Sequence, residues 1–319
     1  MVRSRRVAAL GSSAIIAAGL LASLPAVASA QDADTEVFYV VTHGLASDPY
    51  WVTVNDAAEQ AGADLGVEVN VSFAAGDVAA QKEAFNAAIA AQADGIAVSS
   101  PETGAFVDEV AAATEAGIPV VFLDTDDKTT GRLAYVGADL FLLGSTWASY
   151  LVENAGIESG DFVWMPVETP GAAYQVLATE GISSVFDPLG IEYEVFDANY
   201  DPALSLSNMT DYLTANSADV DAIIGLGDLV MSNIKPAFDA AGVAPGSIPV
   251  VGWGSTKATA NEVKEGYVNA ATWAYPDAAG YDSVVLLHKV VNGLTIGYDI
   301  NTQTLYDATT ADKYVELGF

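Results

Sequence analysis

Residues 104–124 read GAFVDEVAAATEAGIPVVFLD. An Ala-rich run with helical spacing ends at Ala116, Gly117 stands one position beyond it, and Pro119 opens a short apolar run closed by Asp124. Glycine past a helix end takes the left-handed conformation that terminates the helix, and proline is tolerated at the first residue of a strand. Apolar residues in unbroken succession, without alternation, describe a parallel strand buried on both faces. The segment is therefore the helix–strand half of a βαβ unit, ending in a carboxylate at the carboxyl end of the strand. Ala241-Gly242 followed by Ser247-Ile248-Pro249 repeats the same punctuation in the second half of the chain.

Working outward, strands are expected at 36–42, 67–73, 95–99, 119–123 and 133–137, with helices at 50–64, 78–92 and 104–116. The second half predicts strands at 162–166, 193–196, 222–226, 249–252 and 267–273. Its helices are expected at 142–154, 172–186, 204–216, 229–241 and 278–291. This alternation is an α/β pattern: two similar, doubly wound, parallel-sheet lobes. Open α/β sheets bind ligands beyond the carboxyl ends of their strands. The residues that matter are therefore those just after each strand: 43–51, 99–102, 124–127, Asp139, Glu168, Asp228, 253–255 and 273–277. His43 falls in the first of these stretches and faces the expected cleft.

Composition narrows the function. The 319 residues carry 42 acidic and 11 basic side chains and no cysteine. Arg3, Arg5 and Arg6 precede an uncharged stretch from Val7 to Ala30 that ends in Ala28-Ser29-Ala30. A basic start, an apolar middle and a small-x-small end predict a secretory signal over 1–30, cleaved after Ala30; an uncleaved anchor is the alternative reading. Without those residues, eight basic and 42 acidic side chains leave a net charge of −34. Eight scattered cations cannot form the basic face that nucleic acid or an anionic membrane requires. Half the residues are hydrophobic, which excludes disorder. Lack of cysteine removes disulfides, thiolate metal sites and a lipidated tether. The acidic excess suits a salt-rich environment or plain solubility.

Catalytic signatures are absent. His43 and His288 are the two histidines, no G-x-S-x-G elbow or phosphate-binding glycine loop occurs, and Asp124-Thr125-Asp126-Asp127 lacks the Gly and later Glu of a calcium loop. No metal or cofactor is expected, and the chain is read as non-enzymatic. An α/β enzyme using Asp124 and Asp228 is the alternative. What remains is rings beside carboxylates, a combination that packs on C–H faces and accepts hydrogen bonds from hydroxyls. Tyr50 and Trp51 are expected to supply a platform, with Asp48, Asp124 and Asp228 accepting hydrogen bonds.

These residues resemble the type I periplasmic solute-binding proteins of ABC importers, of the ribose/galactose-binding kind. The likeness is carried by Ser47-Asp48-Pro49-Tyr50-Trp51, Ala93-Asp94-Gly95-Ile96, Ala116 through Asp124, Tyr135-Val136-Gly137-Ala138-Asp139 with Gly144, and Pro249 through Trp253. It implies two lobes joined by a three-segment hinge, with 31–138 plus 275–303 in one lobe and 139–274 plus 304–319 in the other. It also implies a bound small molecule, a membrane permease as partner, a monomer and a periplasmic location. In the first lobe Asp48, Tyr50, Trp51 and Asp124 match the family's ligand contacts, and in the second Tyr200 and Trp253 do. Asp126, Tyr174, Asp228 and Trp273, the last standing where the family has a Gln or Asp-Gln, are further expected contacts. Departures from the family pattern subtract polar groups. No Arg lies near Ala178-Thr179-Glu180-Gly181, Thr125 stands where an Arg is usual, Gly227 where an Asn is, and Gly254 where an Asp is. Without an arginine fork an anionic ligand is disfavoured. The expected ligand is a neutral sugar, deoxy sugar or polyol, with a small cationic or aromatic compound as the alternative. A sensor presenting its ligand to a chemoreceptor is the alternative role.

Overall fold

The computed structural model describes residues 35–317 apart from residue 47; the expected signal over 1–30 lies outside the described residues. The first sheet is built from β1 (Val37–Thr42), α1 (Pro49–Leu65), β2 (Glu68–Phe73), α2 (Val78–Ala90), β3 (Gly95–Val98), α3 (Val107–Glu115), β4 (Val120–Leu123) and β5 (Ala134–Gly137). The chain then crosses to α4 (Leu140–Tyr150), β6 (Phe162–Val167), α5 (Ala173–Leu189), β7 (Glu192–Asp197), α6 (Pro202–Asn216) and β8 (Ala222–Gly225). The second sheet continues with α7 (Asp228–Ser232), α8 (Ile234–Ala241), β9 (Val250–Trp253), α9 (Lys257–Glu265) and β10 (Ala270–Trp273). The last elements are α10 (Pro276–Val291), β11 (Ile300–Asn301), β12 (Thr304–Asp307) and α11 (Ala311–Leu317).

The two six-stranded sheets share one plan. Strand order is β11-β5-β4-β3-β1-β2 in the first and β12-β10-β9-β8-β6-β7 in the second. All pairings are parallel except β10 with β12. In each sheet the second strand lies on one side of the first and the third on the other. The order therefore reverses between β1 and β3, and again between β6 and β8, which is where an open α/β sheet leaves a crevice. The central strands are buried along their whole length, as unbroken apolar runs predict. Four hydrophobic clusters cover the faces of the two sheets.

Three segments run between the sheets: after Gly137, after Trp273 toward α10 on the first sheet, and from β11 to β12. Thr302 ties all three together. Its N–H donates to Gly137 O (3.1 Å), and its hydroxyl, on a residue 5% exposed, donates to Ala274 O (2.7 Å). Tyr135 adds a second brace, its hydroxyl donating to Ala138 O at 2.9 Å and to Asp124 O at 2.5 Å.

One expected element is altered. The helix predicted over 229–241 is two helices that meet at Asn233. Pro236 has no N–H for the Ser232 carbonyl and its ring crowds that carbonyl, so the helix breaks there. Two helices and two strands carried too little periodicity to be predicted. In α9 only Thr259, Ala260, Glu262 and Val263 are buried, although Thr256, whose Oγ1 accepts from Thr259 N at 3.2 Å, and Gly266 mark its ends. The others, β11, β12 and α11, lie in the tail beyond the last predicted helix.

Candidate functional site

Asp48 precedes Pro49 and takes extended backbone, so its side chain caps α1, accepting from Tyr50 N–H at 3.0 Å. That cap fixes the first turn of α1 over the end of β1 and swings Tyr50 toward the end of β4. The Tyr50 hydroxyl donates to Asp124 Oδ1 at 2.5 Å, and Thr125 Oγ1 donates to Oδ2 at 2.8 Å. Asp124 itself has φ +61°, a conformation a non-glycine residue holds only when its surroundings enforce it. They do so here: Asp124 N–H donates to Val136 O at 2.9 Å while its carbonyl accepts from Tyr135.

Across the crevice, Asp228 begins α7 and accepts from Ser255 N–H at 2.7 Å. Burial raises its pKa to about 7, with Asp48 and Asp124 adding repulsion against the pull of the Ser255 N–H. Glu168 ends β6 and accepts from Leu229 N–H at 2.6 Å. Burial, then Asp228, push it up to about 8. Asp48 is likewise raised, first by burial, and feels Asp124. These mutual repulsions run from residues at the ends of β1 and β4 to residues at the ends of β6 and β8. The carboxyl ends of the two sheets therefore face each other across one acidic crevice. The leading influences on these three acids are burial, neighbouring acids and backbone N–H donors. His43 lies in the same region, its Nδ1 2.7 Å from Ser99 Oγ, and burial lowers its pKa despite Asp124.

Tyrosines border the acids. The Tyr174 hydroxyl accepts from Thr169 N–H (3.3 Å), and its pKa is raised by burial and then by Glu168. Tyr200 is 51% exposed and feels both Asp48 and Glu168. Trp253 is partly buried, edge-on to Trp147 at 5.6 Å.

Three of the expected contacts are placed differently. Trp51 is 7% exposed and belongs to the core against β1, edge-on to His43 and Tyr50, so it backs the tyrosine instead of forming a platform with it. Trp273 is 3% exposed, in the core beside Tyr275 and Tyr314. Both tryptophans follow the apolar run into the interior. Asp126 is held by Arg132, which also grips Asp299 at 2.7 Å; the pair straps the β4–β5 loop to the segment before β11. Asp126 lines a separate cavity of about 310 Å³ beside the first crossing, together with Tyr135, Asp139, Phe141 and Asp299.

Two groups were visible in the sequence without a role. Glu168 stood among the post-strand residues, but only the fold brings it beside Asp228, 60 residues later in the chain. The partnership of Tyr135 with Asp124 follows from strand register, which spacing alone does not specify. Among the described residues no group of three or more His, Asp or Glu side chains gathers as a metal site, and no helix is long and apolar enough to cross a membrane.

Comparison with known proteins agrees with this architecture. The ribose import binding protein of Salmonella typhimurium is 25% identical over 254 residues, covering 77% of this chain and 82% of the relative. The D-allose-binding periplasmic protein of Escherichia coli is 25% identical over 281 residues, 84% of this chain and 87% of its own. Among solved structures, an ABC transporter solute binding protein from Bacillus halodurans with bound myo-inositol superposes with a TM-score of 0.79 at 21% identity, over 90% of this chain and 99% of that one. A Burkholderia graminis solute binding protein in complex with D-arabinose gives 0.76 at 21% identity, over 87% and 96%. A family profile described as a periplasmic binding protein domain spans residues 38–295, taking in the strands of both sheets except the edge strands β11 and β12. With two sheets of one plan, three crossings and an acidic, ring-lined crevice at the switch points, the chain belongs to the periplasmic binding protein domain family.

Proposed function

We propose that this protein is the extracytoplasmic substrate-binding component of an ABC importer, and that it captures a small neutral sugar, deoxy sugar or polyol in the crevice between its halves. The carrying observation is the Tyr50–Asp124 pair, with Asp228 and Glu168 opposite it. A hydroxyl-rich ligand donates to such carboxylates and packs its C–H face on the neighbouring rings. A competitor lacking the matching hydroxyl leaves a buried acid unpaired, which is how such a site discriminates. The names of the relatives, ribose and D-allose binders, and the myo-inositol and D-arabinose held by structural neighbours support this ligand class.

Residues 31–138 with 275–303, and 139–274 with 304–319, act as two lobes that hinge at the segments Thr302 ties together, closing on the ligand and releasing it unaltered. The protein is a monomer, exported by the 1–30 signal, cleaved after Ala30 and not lipidated, and its bound form docks on a membrane permease. The second reading is a small cationic ligand, favoured by the mutual repulsion among Asp48, Asp124, Glu168 and Asp228, which a cation would relieve.

A thermal-shift panel of sugars, deoxy sugars, polyols and small amines tests the assignment. A ligand at 100 times its dissociation constant adds about 2.7 kcal/mol of stability. A shift with a neutral member supports the main reading, a shift with amines alone supports the second, and no shift with any member removes both.

A further inference from the structure

Glu168 is the acid in the crevice whose surroundings are most particular. One oxygen, Oε1, takes the Leu229 N–H at 2.6 Å and the Val230 N–H at 3.4 Å. Gly227, at φ +144°, makes room for this, since a Cβ there would stand 2.3 Å from Oε1. The carboxyl group is thus fixed by one oxygen, while no described residue donates to Oε2. The groups that act on Glu168 are Asp228 at the start of α7 and Asp48 before α1; Glu168 in turn acts on the Tyr174 and Tyr200 hydroxyls. The leading influences on it are burial, these acids and the two N–H donors, and none of them is a cation. Burial first and Asp228 second raise its titration to about 8, against the pull of the two N–H donors.

A sugar or polyol hydroxyl both donates and accepts, and ring or ether oxygens only accept. Asp48, Asp124 and Asp228 accept when ionised, and the Tyr50 hydroxyl is already committed to Asp124. The acids outnumber the hydroxyl donors beside them, Tyr174 and Tyr200, so a second donor on the acidic side has a role to fill. A carboxylic acid held neutral in an apolar, like-charged setting becomes a donor. We propose that Glu168 is a specificity-determining contact that meets the ligand as an uncharged acid, donating the proton on Oε2 to a ligand oxygen. This rests on reading the crevice as a sugar or polyol site. The proton comes from solvent, stays on Glu168 while the ligand is bound, and returns to solvent on release.

Linkage gives the sign. Ligand bound to the neutral acid raises the proton affinity of Glu168 further, so ligand affinity is flat below the free-state titration. Above it, affinity falls about tenfold per pH unit. Titration calorimetry of the intact protein with myo-inositol and with D-arabinose, in two buffers of different ionisation enthalpy, counts the protons. Uptake is expected to approach one per ligand on the alkaline side of the titration and to vanish well below it. Glu168→Gln, whose amide N–H donates at every pH, is expected to bind with the slope and the uptake gone. Glu168→Leu, which cannot donate, is expected to bind about tenfold more weakly or worse even at acidic pH.

The contrary results are distinct. Binding with a flat pH profile and no proton uptake overturns the role of Glu168 and leaves the sugar reading standing. A slope that persists in Glu168→Gln and disappears in Asp228→Asn assigns the proton to Asp228 and overturns the proposal. Binding of glucosamine alone, tightening as pH rises, means the acids serve as charges, and overturns it as well. No binding of any member of the sugar, deoxy sugar and polyol panel between acidic and alkaline pH removes the sugar reading itself.

Discussion

At the residue scale the site turns on Asp124, a non-glycine residue held at φ +61° between the Val136 carbonyl and the Tyr135 hydroxyl. Its carboxylate takes one oxygen to Tyr50 and the other to Thr125. Asp124→Asn halves the acceptor capacity and leaves the Tyr50 hydroxyl with a weaker partner. Affinity for the neutral ligand found by screening is expected to fall about tenfold or more, with the fold intact by circular dichroism. A variant that binds as well as the parent would place the ligand elsewhere. Asp124 was legible because it ends an apolar run at the carboxyl end of a strand. That Trp51 and Trp273 sit largely in the core was not legible, because sequence spacing shows that a ring follows a strand but not which way the ring turns. The pairing of Asp126 with Arg132 was not legible, because these two and the third member, Asp299, come together only in three dimensions.

At the element scale each half relies on a helix pair whose axes approach at glycine. A Cβ on Gly280 would lie 1.9 Å from Val54 O, where α10 crosses α1, and one on Gly181 would lie 2.1 Å from Phe141 O, where α5 crosses α4. The helices must separate to admit a methyl group. Gly280→Ala is expected to cost about 1–3 kcal/mol in urea unfolding, despite the better helix propensity of alanine. An unchanged midpoint would mean that this crossing is loose.

Helix α9 holds Glu262, 4% exposed and raised to about 8 by burial, with one oxygen lacking any partner among the described residues. Glu262→Gln removes a buried ionisation and is expected to stabilise the protein by on the order of 1–2 kcal/mol at alkaline pH, with little effect under acid. A loss of stability at both extremes would show that the carboxylate has a favourable role. The strands and most helices were legible because apolar runs and glycine–proline punctuation are local. The break at Pro236 was also written locally, in the missing N–H, but the apolar pattern on either side obscured it. The short, polar α9 left little periodicity to read.

For the whole molecule, charge and burial point the same way. Glu168, Glu262 and Asp228 titrate near 8, 8 and 7, all raised, so the folded protein keeps protons that the unfolded chain releases at lower pH. Stability from these groups is therefore present in mild acid and declines as pH rises through their folded values. A melting temperature that falls between about pH 5.5 and pH 8.5 is expected, and one that rises over that interval would contradict the burial of these acids. Added salt should raise the melting temperature by screening the acidic excess. Among the described residues the three crossings, bound together by Thr302, link the two sheets, and the proposed motion of one half against the other is expected there. Small-angle scattering with and without a saturating neutral ligand identified by the thermal-shift panel tests the clamp most directly. A smaller radius of gyration with the ligand bound, and chemically unchanged ligand recovered afterwards, are expected; identical profiles at saturation, or a transformed ligand, would contradict the clamp.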